Sequence, residues 1–154
     1  MIRGIILLTT IIFFTLSCDY QPVYKGIKKL NLNLEIKEIE GDKNINSIIQ
    51  SELKKYSSQD KQKNYLIKIL SNYDKIPISK DITGKVSIYR STMMVNFDIT
   101  DNDNKESKKI TIERSFTLKN YLNNFEQINY ENTLKKNSSK SIADEFAKKL
   151  LSLK

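Results

Sequence analysis

The chain has 154 residues, of which 39% are hydrophobic and 29% charged, a composition typical of a folded body with one domain. One cysteine and no histidine exclude internal disulfides, CxxC redox sites, the usual zinc, copper and haem ligand sets, and Ser–His or Cys–His nucleophiles. The 26 basic residues exceed the 18 acidic ones, for a net charge of +8. A protein with such a charge can bind anionic lipid or nucleic acid, or it can have no charged partner at all.

The start of the chain has the pattern of a bacterial secretory signal. After a single arginine, a largely apolar run of about ten residues ends before polar sequence, which is half the length that a transmembrane helix needs. Ser17 and then Cys18 follow, as in lipoprotein signals, whose cysteine is acylated and becomes the new N-terminus after cleavage. We predict a signal peptide over 1–17, lipid attachment at Cys18 and a lipidated tether over 18–28. An uncleaved N-terminal anchor and a chance cysteine are the alternatives.

The remaining residues, 29–154, are predicted to form one domain. Apolar and polar residues alternate from Leu30 to Ile36, which is the period of a half-buried strand. Apolar residues at helical spacing from Ile45 to Tyr56 then predict an amphipathic helix. The candidate N-caps of this helix are Asp42, Asn44 and Asn46.

Two strands follow the predicted helix. The first covers 65–70 and leads into an irregular connection that contains Pro77 and Gly84. The next covers 86–100, with a β-bulge expected at 90–91, where the alternation becomes less regular.

A turn over 101–104 leads to a fourth strand over 110–118, which pairs with its predecessor as a hairpin. The chain ends in an amphipathic helix that begins as early as Asn129. The order β-α-β-β-β-α predicts an α+β fold, in which two helices pack on one face of a four-stranded mixed sheet.

Acidic residues give no candidate for metal binding or catalysis. The turn that begins at Asp101 opens like a calcium loop, but the glycine and glutamate that an EF-hand requires are replaced by Glu106 and Ile112. A hydrolase that uses Asp101 and Asp103 is not favoured, because nothing in a solvated turn raises a carboxylate pKa. We predict no catalytic residue, no metal and no cofactor.

Basic residues on or beside the predicted hairpin are the candidate binding residues. Together they form a candidate site for a phosphorylated headgroup, and a solvated charged face is the alternative. Arg114 is notable because it shares a strand face with apolar residues: its guanidinium either reaches water at a strand edge or binds an anion with two hydrogen bonds. Nucleic acid is not expected, since the chain has no nucleic-acid recognition motif. The candidates are Lys85, Arg90, Lys108, Lys109 and Arg114.

The segment Cys18-Asp19-Tyr20-Gln21-Pro22-Val23-Tyr24 resembles the beginning of the LPS-assembly lipoprotein family, LptE. The resemblance rests on the lipobox cysteine, the aromatic residue two positions later, and the proline-containing step to tyrosine. The element order and the alanine-bearing C-terminal helix are also similar.

This resemblance implies a non-enzymatic lipoprotein at the periplasmic face of the outer membrane. Such a protein plugs an LptD-type β-barrel, helps it to assemble, and binds lipopolysaccharide, here with Lys85 and Arg90 as the matching positions. Asp19 replaces the glycine that is common in the family, and in some enteric bacteria an aspartate there retains lipoproteins in the inner membrane. The alternative function is a free-standing envelope lipoprotein that binds anionic lipid or glycan without a barrel.

Overall fold

The computed structural model describes residues 33–57 and 64–152. The predicted signal peptide, Cys18 and the tether lie outside the described residues. The elements follow the predicted order β-α-β-β-β-α. They are β1 (Asn33–Gly41), α1 (Lys43–Tyr56), β2 (Asn64–Lys80), β3 (Val86–Asp101), β4 (Ser107–Lys119) and α2 (Asn124–Ser152).

The four strands form one mixed sheet in the order β1-β2-β3-β4. β1 runs parallel to β2, with α1 as the connection between them, and the other neighbours are antiparallel. Both helices contribute to one core on the same face of the sheet. The predicted α+β fold is therefore confirmed, and the opposite sheet face, called the open face below, carries exposed and half-buried residues such as Lys68, Leu70 and Met94.

The core forms where the two-residue period of the strands meets the helical period. Every second residue of β3 from Met93 to Ile99 is buried, and Ile49 of α1 and Phe146 of α2 are completely buried above the sheet. The rings of Phe97 and Phe146 stack with their centroids 4.0 Å apart. Burial of each large side chain stabilises the fold by about 1.5–3 kcal/mol.

The junction between β1 and α1 depends on two adjacent residues. Gly41 has φ +101°, and a Cβ atom built there would lie 1.8 Å from the carbonyl oxygen of Ser71. Asp42 is the N-cap among the three predicted candidates, because its Oδ1 accepts hydrogen bonds from the backbone N–H groups of Asn44 (2.9 Å) and Ile45 (3.1 Å). The chain therefore turns from strand to helix within two residues.

The predicted length of β2 is wrong. The strand extends to Lys80, so Pro77 lies within it rather than in an irregular connection. The pairing of β1 with β2 ends at Ser71, so the second half of β2 pairs only with β3. A proline that lacks an N–H donor is tolerated at such a sheet edge.

Two smaller predictions are also wrong. β3 pairs without a shift at Arg90-Ser91, and the register between β2 and β3 shifts instead on either side of Ser79, close to the proline. Helix α2 begins at Asn124 rather than Asn129. The side chain of Asn123 accepts a hydrogen bond from the N–H of Phe125 at 2.9 Å, which favours the earlier start.

Candidate functional site

The five predicted basic residues do not come together in one place. Lys85 and Arg90 belong to the first half of β3 and the turn before it, whereas Lys108 and Lys109 pair with Ile99 and Asp98 near the other end of that strand. Nine residues of strand separate Arg90 from Ile99, which corresponds to about 30 Å. A single headgroup cannot contact both groups at once.

Arg114 is held by a carboxylate of the protein itself. Its guanidinium forms an ion pair with Glu145 of α2 and donates a hydrogen bond to the carbonyl of Glu113 at 2.9 Å. A hydrogen bond from Lys149 is the main cause that lowers the pKa of the Glu145 carboxyl; burial opposes it, and Arg114 adds to it. Arg114 therefore contributes to attaching α2 to β4 and is already paired.

Arg90 lies on the open face, in the first half of β3. Its neighbours across the strands are Ile76 of β2 and Thr117 of β4, and its side chain is exposed. No carboxylate within residues 33–57 or 64–152 forms an ion pair with it. A guanidinium in this position can bind a phosphate with two hydrogen bonds.

Lys85 is positioned by a tightly hydrogen-bonded turn between β2 and β3. Oδ1 of Asp81 accepts hydrogen bonds from the N–H of Thr83 (2.8 Å), the hydroxyl of Thr83 (2.7 Å) and the N–H of Lys85 (3.0 Å). The hydroxyl of Thr83 is the main cause that lowers the pKa of the Asp81 carboxyl. Lys85 is exposed and, among the described residues, has no ion-pair partner.

Exposed apolar side chains surround this part of the sheet, and the sequence patterns did not reveal them. The N–H of Asn120 donates to the carbonyl of Ser87 at 2.9 Å, which places the β4–α2 connection beside the β2–β3 turn. We call residues 76–90 and 117–128 the distal end. These hydrophobic residues stand singly in polar segments and follow neither the strand nor the helix period. The only sign of them in the sequence was their position beside Pro77 and among asparagines. The exposed apolar side chains of the distal end are Ile76, Ile78, Ile82, Leu122, Phe125 and Ile128.

The middle of the open face contains polar side chains that bond to one another across β3 and β4, beside the exposed side chains of Leu70 and Met94. The hydroxyls of Thr92 and Ser115 lie 3.1 Å apart, and the hydroxyl of Thr111 donates to the amide oxygen of Asn96 at 2.7 Å. Such cross-strand pairs suit a sheet face in contact with water.

The described residues contain no group of three or more His, Cys, Asp or Glu side chains that could hold a metal ion. The N–H of Asp103 donates to Oδ1 of Asp101 at 2.9 Å, as expected of a polar turn. Within the same residues, no helix is both long and apolar enough to span a membrane.

The fold and its surface define an α+β body that has one open sheet face and a basic, partly apolar distal end. No protein-family model and no curated protein sequence matches the chain. Rare lipoprotein B from Shewanella oneidensis is similar in structure, with a TM-score of 0.60 and 16% identity over 79% of this chain and 94% of that chain. A minor lipoprotein from Acinetobacter baumannii has a TM-score of 0.51 and 12% identity over 77% of this chain and 90% of that chain. At these identities, the similarity shows a shared fold.

Proposed function

We propose that this chain is an envelope lipoprotein, tethered through Cys18, that plugs an LptD-type outer-membrane β-barrel, assists its assembly and binds lipopolysaccharide. The observation that carries the proposal is the fold shared with rare lipoprotein B across 94% of that chain. The signal-like start and its cysteine are the independent support from the sequence.

The surface suits a body that sits in a water-lined lumen. The hydroxyl and amide groups of the open face bond to one another across β3 and β4 and still expose polar atoms to water. Acyl chains on Cys18 would hold the protein at the periplasmic leaflet, since two or more chains give stable anchoring. In this arrangement the protein supplies no catalytic group.

Lipopolysaccharide binding is assigned to Arg90 and Lys85 and not to all five predicted residues. Arg114 is paired with Glu145, and the two lysines at the start of β4 lie about 30 Å from Arg90 along the sheet. The guanidinium and the ammonium group would bind phosphates of the lipid in place of divalent cations.

The barrel partner is tested by copurification. The full chain with a C-terminal tag is solubilised from native membranes in mild detergent, and the recovered proteins and the mass of the N-terminal peptide are determined by mass spectrometry. A large outer-membrane barrel in equal amount, together with an acylated Cys18, is expected. Recovery without a barrel would instead favour a free-standing lipoprotein that binds anionic lipid or glycan. Recovery with inner-membrane proteins would show that Asp19 decides the localisation.

Lipid binding is tested separately, by measuring the affinity of the detergent-solubilised full chain for lipopolysaccharide. The variant Lys85→Glu/Arg90→Glu is expected to bind at least about tenfold more weakly, since two charge-assisted contacts become repulsive. The matched control Lys108→Glu/Lys109→Glu makes the same change of charge at the other end of the sheet. Equal loss in both variants would contradict a local site and leave only a general effect of charge.

A further inference from the structure

The outer edge of β4 differs from the other free edges of the sheet. In the described part of the chain, β1 and β4 are the outer strands, and the second half of β2 is free on one side because β1 ends beside Ser71. The pairing register of β1 shifts between Ile36 and Glu38, and the free part of β2 contains Pro77. A bulge and a proline both hinder pairing with a further strand. β4 pairs with β3 over 107–119 without a shift and contains no proline, so its outer edge is regular.

Every second residue of β4 directs its backbone groups to this outer edge. The N–H of Asp101 donates to the carbonyl of Glu106 at 2.9 Å, and the N–H of Asn120 donates to that of Ser87 at 2.9 Å. Residues of β4 with even numbers therefore bond to β3, and those with odd numbers point outward. The outward residues of the first part of β4 are all exposed, and their side chains lie on the open face. The outward residues in this stretch are Ser107, Lys109, Thr111, Glu113 and Ser115.

These five outward residues are complementary to the same five residues in reverse order. Thr111 is in the middle, Lys109 and Glu113 lie two positions to either side of it, and a serine lies four positions to either side. Neither Lys109 nor Glu113 forms an ion pair within residues 33–57 and 64–152. We infer that β4 pairs antiparallel with β4 of a second copy of this chain, about a two-fold axis at Thr111. In this register Lys109 faces Glu113 of the second copy, twice by symmetry, and threonine faces threonine at the axis.

The pairing joins two four-stranded sheets into one sheet of eight strands. Because each hydrogen-bonded pair exchanges two backbone hydrogen bonds, the five outward residues of each copy form about ten across the interface. The carbonyl of Glu113 already accepts a hydrogen bond from Arg114 at 2.9 Å, and its second lone pair remains for the new strand. The regular outer edge of β4 is thereby covered.

Side chains on the helix-bearing face of the sheet also meet in this register. Ile110 faces Ile112 of the second copy, so apolar side chains of the two copies lie next to each other across the interface. Lys108 faces Arg114 of the second copy, a pair of like charges. The ion pair of Arg114 with Glu145 reduces the repulsion in this pair.

The pairing concerns the chain outside a barrel, and it goes beyond the proposed function. A lumen filled by one copy has no room for a second copy along β4, so barrel assembly has to separate the two copies. Until then the dimer protects an edge strand that would otherwise be free to pair with unrelated chains.

The first test changes the charges that face each other. The acylated full-length chain is purified in mild detergent without a barrel, and its oligomeric mass is measured by sedimentation over a range of concentrations. The unmodified chain is expected to form a dimer that dissociates on dilution, so the lipid affinity of the dilute chain is that of the monomer. Lys109→Glu alone and Glu113→Lys alone should each weaken the dimer about tenfold or more, because each places like charges opposite each other at both symmetric pairs.

Two combinations of these substitutions should restore the dimer. Lys109→Glu/Glu113→Lys in one chain exchanges the two charges and keeps the net charge. An equal mixture of the two single variants should form a heterodimer, because carboxylates of one chain then face ammonium groups of the other. Lys54→Glu makes the same change of charge on the exposed side of α1 and should leave the dimer unchanged.

A second test places a cysteine on the two-fold axis. The Cα atoms of a hydrogen-bonded antiparallel pair lie about 5.5 Å apart, which is within the range of a disulfide. Thr111→Cys is therefore expected to give a cross-linked dimer on mild oxidation. Thr117→Cys, six residues further along the same edge, places the two thiols about 40 Å apart and should not cross-link. The unmodified chain, whose only cysteine is Cys18, is the control for cross-linking through the tether.

A monomer at every concentration would overturn the proposal and leave the edge of β4 to a different protein. Failure of the mixed variants to associate, or equal cross-linking at both cysteine positions, would overturn the two-fold register. Growth beyond a dimer would also overturn it, because pairing of β4 with β1 of the next copy does not close. The assays contain no barrel and no lipopolysaccharide. Their failure is therefore distinguishable from failure of the proposed function.

Discussion

The Nζ atom of Lys75 lies 2.8 Å from Oε2 of Glu131, an ion pair that joins the second half of β2 to helix α2. The hydroxyl of Tyr73 donates to the other oxygen of this carboxylate at 2.8 Å, and Nζ of Lys135 lies 3.7 Å from it. The ammonium group of Lys135 also contacts the ring of Tyr73, 3.8 Å from its centroid. These contacts tie β2 to the helical layer in the region where β1 no longer pairs with it.

Replacement of the Glu131 carboxylate should make the free energy of unfolding less dependent on pH in the acidic range. Burial alone raises the pKa of the Glu131 carboxyl, but hydrogen bonds from Lys75 and Tyr73, together with the positive charges of Lys75 and Lys135, outweigh burial and hold the pKa below its usual value of 4.5. The contribution of Glu131 is therefore complete above about pH 4.5 and is lost as the pH falls through the folded-state pKa. We expect Glu131→Gln to lower the free energy of unfolding by about 1–3 kcal/mol at about pH 7.

Urea unfolding at about pH 7 and about pH 3 measures this difference, which should be smaller at the lower pH. Glu113→Gln is the matched control, because Glu113 is exposed on β4 and has no ion pair among residues 33–57 and 64–152. A loss of the same size at both pH values would contradict a role for the charge of Glu131.

The glycine at the end of β1 should not accept a side chain. Gly41→Ala combines a positive φ with a Cβ atom 1.8 Å from the carbonyl oxygen of Ser71, so backbone must move. We expect a loss of about 3 kcal/mol or more in the free energy of unfolding, measured by urea denaturation. Gly84→Ala is the control: φ is +81° but no atom lies within 4 Å of the new Cβ, so about 1–2 kcal/mol is expected. Equal losses would show that the contact with Ser71 is unimportant.

Two phenylalanines of α2, one buried and one exposed, should contribute very differently to stability. Phe146 is completely buried and stacks on Phe97, so Phe146→Ala should lower the free energy of unfolding by about 3–5 kcal/mol. Phe125, near the start of the same helix, is 72% exposed, and Phe125→Ala should change stability by about 0.5 kcal/mol or less. Both variants are compared by thermal and urea unfolding of the full chain. A large effect of Phe125→Ala would mean that its ring packs within the protein rather than at the surface.

The sequence was sufficient for the element order because the buried faces keep a clear period. The alternation from Met93 to Ile99 and the helical spacing of Ile45, Ile49 and Leu53 predict a strand and a helix that the structure confirms.

The extension of β2 was not predictable in the same way. Beyond Ser71 the strand contains Asp74, Lys75 and Pro77, and no continuous apolar face marks it. Its conformation depends on pairing with β3, a contact between residues distant in sequence. The role of Arg114 was hidden for a similar reason, since its partner Glu145 lies 31 residues further along the chain.

The pairing of Arg114 with Glu145 predicts that this arginine has a structural role and no role in lipid binding. Both side chains are about one-third exposed, so solvent screens the pair, and Arg114→Ala should lower the free energy of unfolding by about 1 kcal/mol or less. In a double-mutant cycle with Glu145→Ala, the double variant should lose less stability than the sum of the two single variants, by less than about 1 kcal/mol. The affinity of Arg114→Ala for lipopolysaccharide should equal that of the unmodified chain, whereas Arg90→Ala should bind more weakly. If Arg114→Ala instead bound lipopolysaccharide more weakly and showed no coupling to Glu145, Arg114 would be a lipid-binding residue.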